Sequence, residues 1–216
     1  MSNIDFYFDF ASPYAYLAHC RLPALADKYG YGITYKPIDL FAARRAAGNS
    51  GPPSAQIPPK FRYVTTDLKR WAQKYDAPFV MPWAAKSGDS NGAKKVELQK
   101  EWIDSSRAHK GMFFANERGQ GRDYATRLWR ATFGSGGFVG DPELLRGVAQ
   151  DMGWSPDGFL EFIQSDQAER LYEETNREAH ARGVFGVPIM FVDDEMWWGN
   201  DRLSFLEEHL AAHPAR

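Results

Sequence analysis

A hydroxyl placed where the chain turns from strand to helix is the first chemically suggestive feature of this sequence. In Ile4-Asp5-Phe6-Tyr7-Phe8-Asp9-Phe10, the residues Phe6, Phe8 and Phe10 alternate with Asp5, Tyr7 and Asp9. That is the period-two pattern of a strand. Ser12 then reads as a helix N-cap and Pro13 as the first helical residue, where a missing N–H costs nothing. A hydroxyl there sits among free backbone N–H groups at the positive end of a helix, a setting that favours an anion, a thiolate included. Yet Ser12-Pro13-Tyr14-Ala15 contains no sulfur. The setting for a stabilised thiolate is present and the thiolate is not, so the sulfur is expected to arrive on a cofactor.

Other residues invite a chemical reading beside a plainer one. Trp198-Gly199-Asn200-Asp201-Arg202 precedes the last helix, where Asn200 or Asp201 can simply cap it. The Asp201 carboxylate can also recognise an α-amino group while free N–H groups take an α-carboxylate. Arg44, Arg45, Asn49 and Ser54 line a long loop. They read as solvated surface unless the substrate is a carboxylate, in which case Arg44 is its partner. Cys20 lies inside the first helix and reads as a small buried apolar residue. The five His show no His-x-x-x-His or Cys/His cluster, so no metal site is expected. A serine-hydrolase reading of Ser12 has no Gly-x-Ser-x-Gly to support it.

The elements that must position these residues follow from periodicity and punctuation. A helix is expected from Pro13 to Tyr29, kinked at Pro23 and ended by Gly30. A strand follows over Ile33-Thr34-Tyr35-Lys36, which makes a right-handed βαβ unit with parallel strands. Residues 41–59 read as a Gly- and Pro-rich binding loop. A helix with Phe61, Val64, Leu68, Trp71 and Tyr75 on one face comes next, then a polar loop from Ala77 to Gly92. Helices are expected near 94–109, 122–133, 142–152, 157–164 and 166–181, two of them announced by Asp141-Pro142 and Ser155-Pro156. The chain then returns to sheet: Val187 to Val192 and Glu195 to Trp198 form a hairpin about Asp193-Asp194, and a helix over 201–210 closes it.

Bulk properties narrow the classes. With 216 residues there is room for one large domain or a small one carrying an insertion. A net charge of −2 gives no reason to expect nucleic acid or an anionic membrane as partner. No signal-peptide pattern or membrane-spanning apolar run is present, and a single Cys excludes an internal disulfide framework. These features point to a reducing cytoplasm, where glutathione is abundant.

The order βαβ, helical insertion, ββα is that of a thioredoxin-like fold, an α/β architecture with an all-helical insertion domain. The expected division puts residues 1–40 and 183–216 in the thioredoxin-like domain and 41–182 in the linker loops and insertion. In such folds the first helix start carries the first Cys of a Cys-x-x-Cys, which Ser12 replaces here. Without a Cys pair, dithiol–disulfide exchange is disfavoured. A cis-Pro faces that helix in these folds, the position held by Val187-Pro188. The cis bond would turn Val187 outward to pair with an extended peptide such as glutathione.

Three stretches carry a closer resemblance: Phe8-Asp9-Phe10…Ser12-Pro13-Tyr14…Tyr16-Leu17-Ala18, Asp67…Arg70-Trp71-Ala72, and Phe185-Gly186-Val187-Pro188…Glu195-Met196-Trp197-Trp198-Gly199-Asn200-Asp201-Arg202-Leu203. The chain closely resembles the 2-hydroxychromene-2-carboxylate isomerases, a family related to kappa-class glutathione transferases and to DsbA-type proteins. The resemblance implies a glutathione-dependent isomerase of aromatic hydrocarbon catabolism, naphthalene degradation among it, acting on a small aromatic carboxylate. It implies Ser12 beside the glutathione sulfur, and Val187, Pro188, Trp198, Gly199, Asn200 and Asp201 around glutathione. It puts Arg44, Asn49, Ser54 and Ala85 at the substrate. Where the family carries a Lys, an Asn-Arg pair and a Tyr in its pocket, this chain has Arg44, Ser54-Ala55 and Ala85. Arg44 keeps the positive charge; loss of the Arg and Tyr points to a wider pocket or a different substrate. A homodimer is the assembly implied. The alternatives are a kappa-like glutathione S-transferase and a non-catalytic glutathione-binding protein on the same scaffold.

Overall fold

Phenylalanine at every second position gives the first strand one wholly apolar face, and the rest of the molecule is built on it. The structure, a computed structural model, describes residues 2–81 and 104–215. Strand β1 (Asn3–Phe8) pairs in parallel with β2 (Gly32–Pro37) and antiparallel with β3 (Ile189–Val192), which pairs antiparallel with β4 (Glu195–Trp198). The order is β2-β1-β3-β4, so the two central strands come from opposite ends of the chain. Register runs Ile4↔Ile33, Phe6↔Met190 and Ile189↔Trp198. The β3–β4 hairpin turns on Asp193-Asp194 as expected, with Asp193 at φ 53°. This is a thioredoxin-like α/β arrangement carrying a helical layer.

The helical layer closes over the Phe face. After α1 (Pro13–His19), α2 (Leu22–Tyr29), α3 (Leu40–Ala46) and α4 (Pro58–Tyr75) come α5 (Ser106–Asn116), α6 (Gly121–Trp129), α7 (Pro142–Asp151), α8 (Pro156–Ile163) and α9 (Asp166–Ala181). A π-helical turn, Arg130–Gly134, extends α6, and α10 (Leu203–Ala212) follows β4 through a 3₁₀ turn at Asn200–Arg202. Trp129 is the centre of the core. Its ring lies 5.2 Å from that of Phe8 and 5.0 Å from that of Phe10, and its Nε1–H donates to the Phe10 carbonyl at 3.3 Å. One continuous apolar cluster joins β1, α1, α5, α6, α7 and α8.

Three expectations are corrected. The helix from Pro13 is two helices, because Pro23 cannot donate to the carbonyl of His19 and crowds it; α1 ends at His19 and Pro23 takes an early position of α2. The loop over 41–59 begins as a helix, since Asp39 caps α3 by accepting from the Ala42 N–H at 2.9 Å. Of the helix expected over 94–109, residues 94–103 lie outside the described residues, Asp104 and Ser105 are non-helical, and the helix that starts at Ser106 runs on to Asn116. Gly111 lies inside it, where a Cβ would collide with the Tyr124 hydroxyl and the Phe159 ring.

Candidate active site

Ser12 is placed by the strand that precedes it and the helix it caps. Its backbone is extended, at φ −87° and ψ 113°, and its Oγ accepts from the Ala15 N–H at 3.3 Å. The hydroxyl oxygen is therefore engaged as an acceptor, which leaves its O–H free to donate. Ser12 is 6% exposed. Among the described residues the Tyr14 N–H has no partner. Because α1 has seven residues, its aligned dipole is smaller than that of the single helix to Tyr29. The local donors therefore count for more than the dipole.

Tyrosines fasten this turn to its neighbours. Tyr14 donates to Asp67 Oδ2 on α4 at 2.8 Å, and burial followed by that carboxylate pushes its hydroxyl beyond the usual tyrosine range. Tyr16 donates to the Pro78 carbonyl at 2.6 Å, and Tyr75 to the Asn200 carbonyl at 3.2 Å. The turn at Asn200–Arg202 packs directly on α1.

The other end of the chain meets the same corner. The Val187–Pro188 bond is cis. The Pro188 carbonyl accepts from the Gly199 N–H at 2.9 Å, which joins the Val187-Pro188 bend to the Trp198–Asp201 stretch. Gly199 has φ 104°, a left-handed conformation that a side chain would strain, and a Cβ on it would collide with Asp201 Oδ1. Trp198 is exposed and rests edge-on against Phe185, ring centroids 5.0 Å apart, over Gly186. Asp201 pairs with Arg202 at 2.5 Å.

Two unpaired features stand out here. Among the described residues, Val187 makes no main-chain hydrogen bond. Asn200 is 3% exposed, and among the described residues its Nδ2 is a buried donor without a partner. A buried amide left unpaired costs about 1–3 kcal/mol, so a ligand that accepts from it is the natural complement. The Tyr14 N–H, the Val187 main chain and the Asn200 Nδ2 are thus without partners among the described residues.

The substrate candidates form a second group. Arg44, in the last turn of α3, donates through Nη2 to Asn49 Oδ1 and to the Gly51 carbonyl, both at 3.3 Å. Arg44 and Asn49 are thus brought together. Ser54 stands on the 3₁₀ turn Ser54–Gln56, packed on α4. No direct contact among the described residues joins these to Ser12. Ala85 lies outside the described residues.

The sequence assigns neither Asp9 nor His109 a functional role, yet Asp9 accepts from the Ser12 N–H through its carbonyl and meets His109 through its carboxylate. Asp9 is 4% exposed; Ser105 Oγ donates to its Oδ1 at 2.6 Å, and His109 Nε2 lies 3.3 Å from the same oxygen. Burial pushes the Asp9 carboxyl up. The charge His109 carries when protonated and the hydrogen bond it then donates, with those from Ser105 and the Ala11 N–H, oppose burial and set the Asp9 carboxyl below the usual carboxylate range. A carboxylate between two core phenylalanines is itself the signal, since a buried charge must be paired. A separate cavity of about 280 Å³ opens beside the α1–α2 break, lined by Tyr16, Cys20, Arg122 and Arg130 among others. Burial pushes the Cys20 thiol up, away from nucleophile behaviour. Among the described residues no cluster could hold a metal ion, and no helix is long and apolar enough to cross a membrane.

The fold and the Ser12 corner define a DSBA-like thioredoxin domain, whose family matches residues 3–211. Within that class the chain belongs to the family of the 2-hydroxychromene-2-carboxylate isomerases. It is 40% identical over 208 residues to the 2-hydroxychromene-2-carboxylate isomerase of Sphingobium xenophagum, covering 96% of this chain and 97% of that one. A solved 2-hydroxychromene-2-carboxylate isomerase superposes with a TM-score of 0.84 at 38% identity, over 97% of this chain and 95% of that chain. More distantly, the chain is 27% identical over 224 residues to glutathione S-transferase kappa 1 of Caenorhabditis elegans, with 97% and 91% of the two chains covered.

Proposed function

We propose that this protein is a glutathione-dependent isomerase interconverting 2-hydroxychromene-2-carboxylate and trans-o-hydroxybenzylidenepyruvate, or a close polycyclic analogue, in the breakdown of aromatic hydrocarbons. The observation that carries this reading is the 40% identity to a 2-hydroxychromene-2-carboxylate isomerase over 96% of the chain. Relatedness to a protein named glutathione S-transferase supports glutathione as the thiol source. When bound, glutathione supplies a thiolate nucleophile whose reversible addition to the enone of the open-chain substrate frees the double bond to rotate.

The chain's own residues hold and orient the reactants. Ser12 donates its O–H toward the sulfur, since its oxygen already accepts from Ala15. The unpaired Tyr14 N–H adds a second donor at the same helix start. Such surroundings lower a thiol pKa by about one unit or more, at about 1.4 kcal/mol per unit. Val187 pairs its main chain with the tripeptide backbone beside Pro188. Trp198 and Gly199 wall the γ-glutamyl end, the Asn200 amide donates to its carboxylate, and Asp201 takes its ammonium. Arg44, steadied by Asn49, holds the pyruvate carboxylate, and Ser54 borders the ring. Residues 1–40 with 183–216 form the glutathione-holding unit in this reading, and 41–182 the insertion. Its setting is the cytoplasm and its assembly a homodimer.

The test is the ultraviolet change of the chromene carboxylate with purified protein, with and without glutathione. Turnover that appears only with glutathione supports the reading; equal turnover without it removes glutathione from the account. The kappa relative favours a second reading, a transferase that releases the conjugate instead of expelling the thiolate.

A further inference from the structure

Irregular backbone buried in a core must find partners for its N–H groups outside any ladder. The turn between β1 and α1 finds them in one carboxylate, one imidazole and the main-chain carbonyl of Asp9. The Ala11 N–H donates to Asp9 Oδ1 at 2.8 Å, the Ser12 N–H to the Asp9 carbonyl at 2.9 Å, and the Phe10 N–H to His109 Nε2 at 3.2 Å. Three successive amides leading to the Ser12 hydroxyl therefore end on Asp9 or on its neighbour. His109 is held from behind by Tyr172, whose hydroxyl lies 3.0 Å from Nδ1. A neutral ring accepts from Phe10 through Nε2; a protonated ring turns Nε2–H to Asp9. The same carboxylate reaches in a second direction. Its Oδ2 accepts from the N–H of Leu40 at 3.3 Å, the first residue of α3, and α3 carries Arg44.

A buried charge cluster is weak evidence for stability, because an apolar replacement can pack as well. What it does supply is one geometry for a stretch of chain that no ladder holds. We propose that Asp9 and His109 are positioning residues. They fix the turn that aims the Ser12 hydroxyl, and through Leu40 Asp9 keeps the Arg44 helix in register with it. The inference rests on the proposed function only in taking Ser12 and Arg44 as the groups that meet the thiol and the substrate carboxylate.

Asp9→Asn preserves shape, but its amide nitrogen cannot accept from Leu40. A displacement of about 1 Å can cost on the order of 100-fold in rate, so kcat is expected to fall about 10- to 100-fold while KM for glutathione stays within about twofold. In the Ser12→Ala background the same change is expected to lower kcat little further, because that part acts through Ser12, while the part carried by Leu40 persists as a raised KM for the carboxylate substrate. A purely structural role predicts instead multiplied losses in the double variant, and that result overturns the proposal, as does an unchanged kcat in Asp9→Asn. Should Asp9→Asn fail to fold, His109→Gln, which keeps an acceptor for the Phe10 N–H, is judged by the same cycle. Hydrogen exchange at Phe10, Ala11 and Ser12 gives a readout independent of turnover. Faster exchange there than along β1 in Asp9→Asn supports the inference, and unchanged exchange overturns it. A wild-type protein without glutathione-dependent turnover removes the proposed function and leaves the exchange result to decide this one.

Discussion

His19 should make the protein acid-sensitive well above the range where carboxylates titrate. It is the last residue of α1 and 5% exposed, with its ring 4.9 Å from that of Trp129. Nε2 lies 2.8 Å from Thr126 Oγ1 and Nδ1 3.2 Å from the Tyr35 hydroxyl. Burial, and then the charge of Arg122, push its imidazole from 6.5 down to about 3. In the unfolded chain the ring gains a proton as pH falls through 6.5, whereas in the fold it stays neutral until about 3. Between those values the unfolded state binds one proton more, so stability falls with pH by about 1.4 kcal/mol per unit. From about pH 6.5 to about pH 4.5 the loss is about 2–3 kcal/mol. The depressed carboxyls act elsewhere: the stabilisation from Asp9, Asp104 and Glu178 is present above their ordinary values of 3.8 to 4.5 and is lost only as pH falls through their lower folded values. Urea unfolding followed by tryptophan fluorescence across that window measures the slope directly. His19→Asn lowers stability throughout but should flatten the slope. Equal slopes in wild type and variant, or a flat wild type, would refute the reasoning.

Two further substitutions test the site itself. Ser12→Ala removes an N-cap worth about 1 kcal/mol and should lower kcat on the order of 100-fold, while calorimetry still records glutathione binding; unchanged kcat at saturating glutathione takes Ser12 out of the mechanism. Arg44→Met should raise KM for the carboxylate substrate about 10- to 100-fold, as expected for losing a charged hydrogen bond of about 1.5–3 kcal/mol, and leave KM for glutathione unaltered.

Local signals carried much of this fold into view from the sequence alone. Alternating phenylalanines announce β1, and the two-residue Asp193-Asp194 turn announces the hairpin. Asp141 and Ser155 cap α7 and α8 from the positions their following prolines suggest. What stayed hidden has a physical cause in each case. Pro23 is compatible with a kink or with a new helix start, and only packing chooses. Gly111 weakens the local case for α5, and the Tyr124 hydroxyl and Phe159 ring that demand it come from elsewhere in the chain. Asp9 and His109 meet across the core from distant positions, and nothing local to either one names its partner. The orphaned Asn200 amide is likewise a property of packing that no motif encodes. Ser12 and Val187-Pro188 were legible because a turn and a proline are local.

The account's central claim is that the reacting sulfur is borrowed and returned. The most direct measurement gives the protein a large excess of chromene carboxylate over glutathione and counts free thiol when the ultraviolet change is complete. The account predicts that all the substrate reaches equilibrium and that the thiol count is unchanged. A reaction that halts after one equivalent with the thiol consumed, or one that runs equally well with no glutathione added, would contradict it.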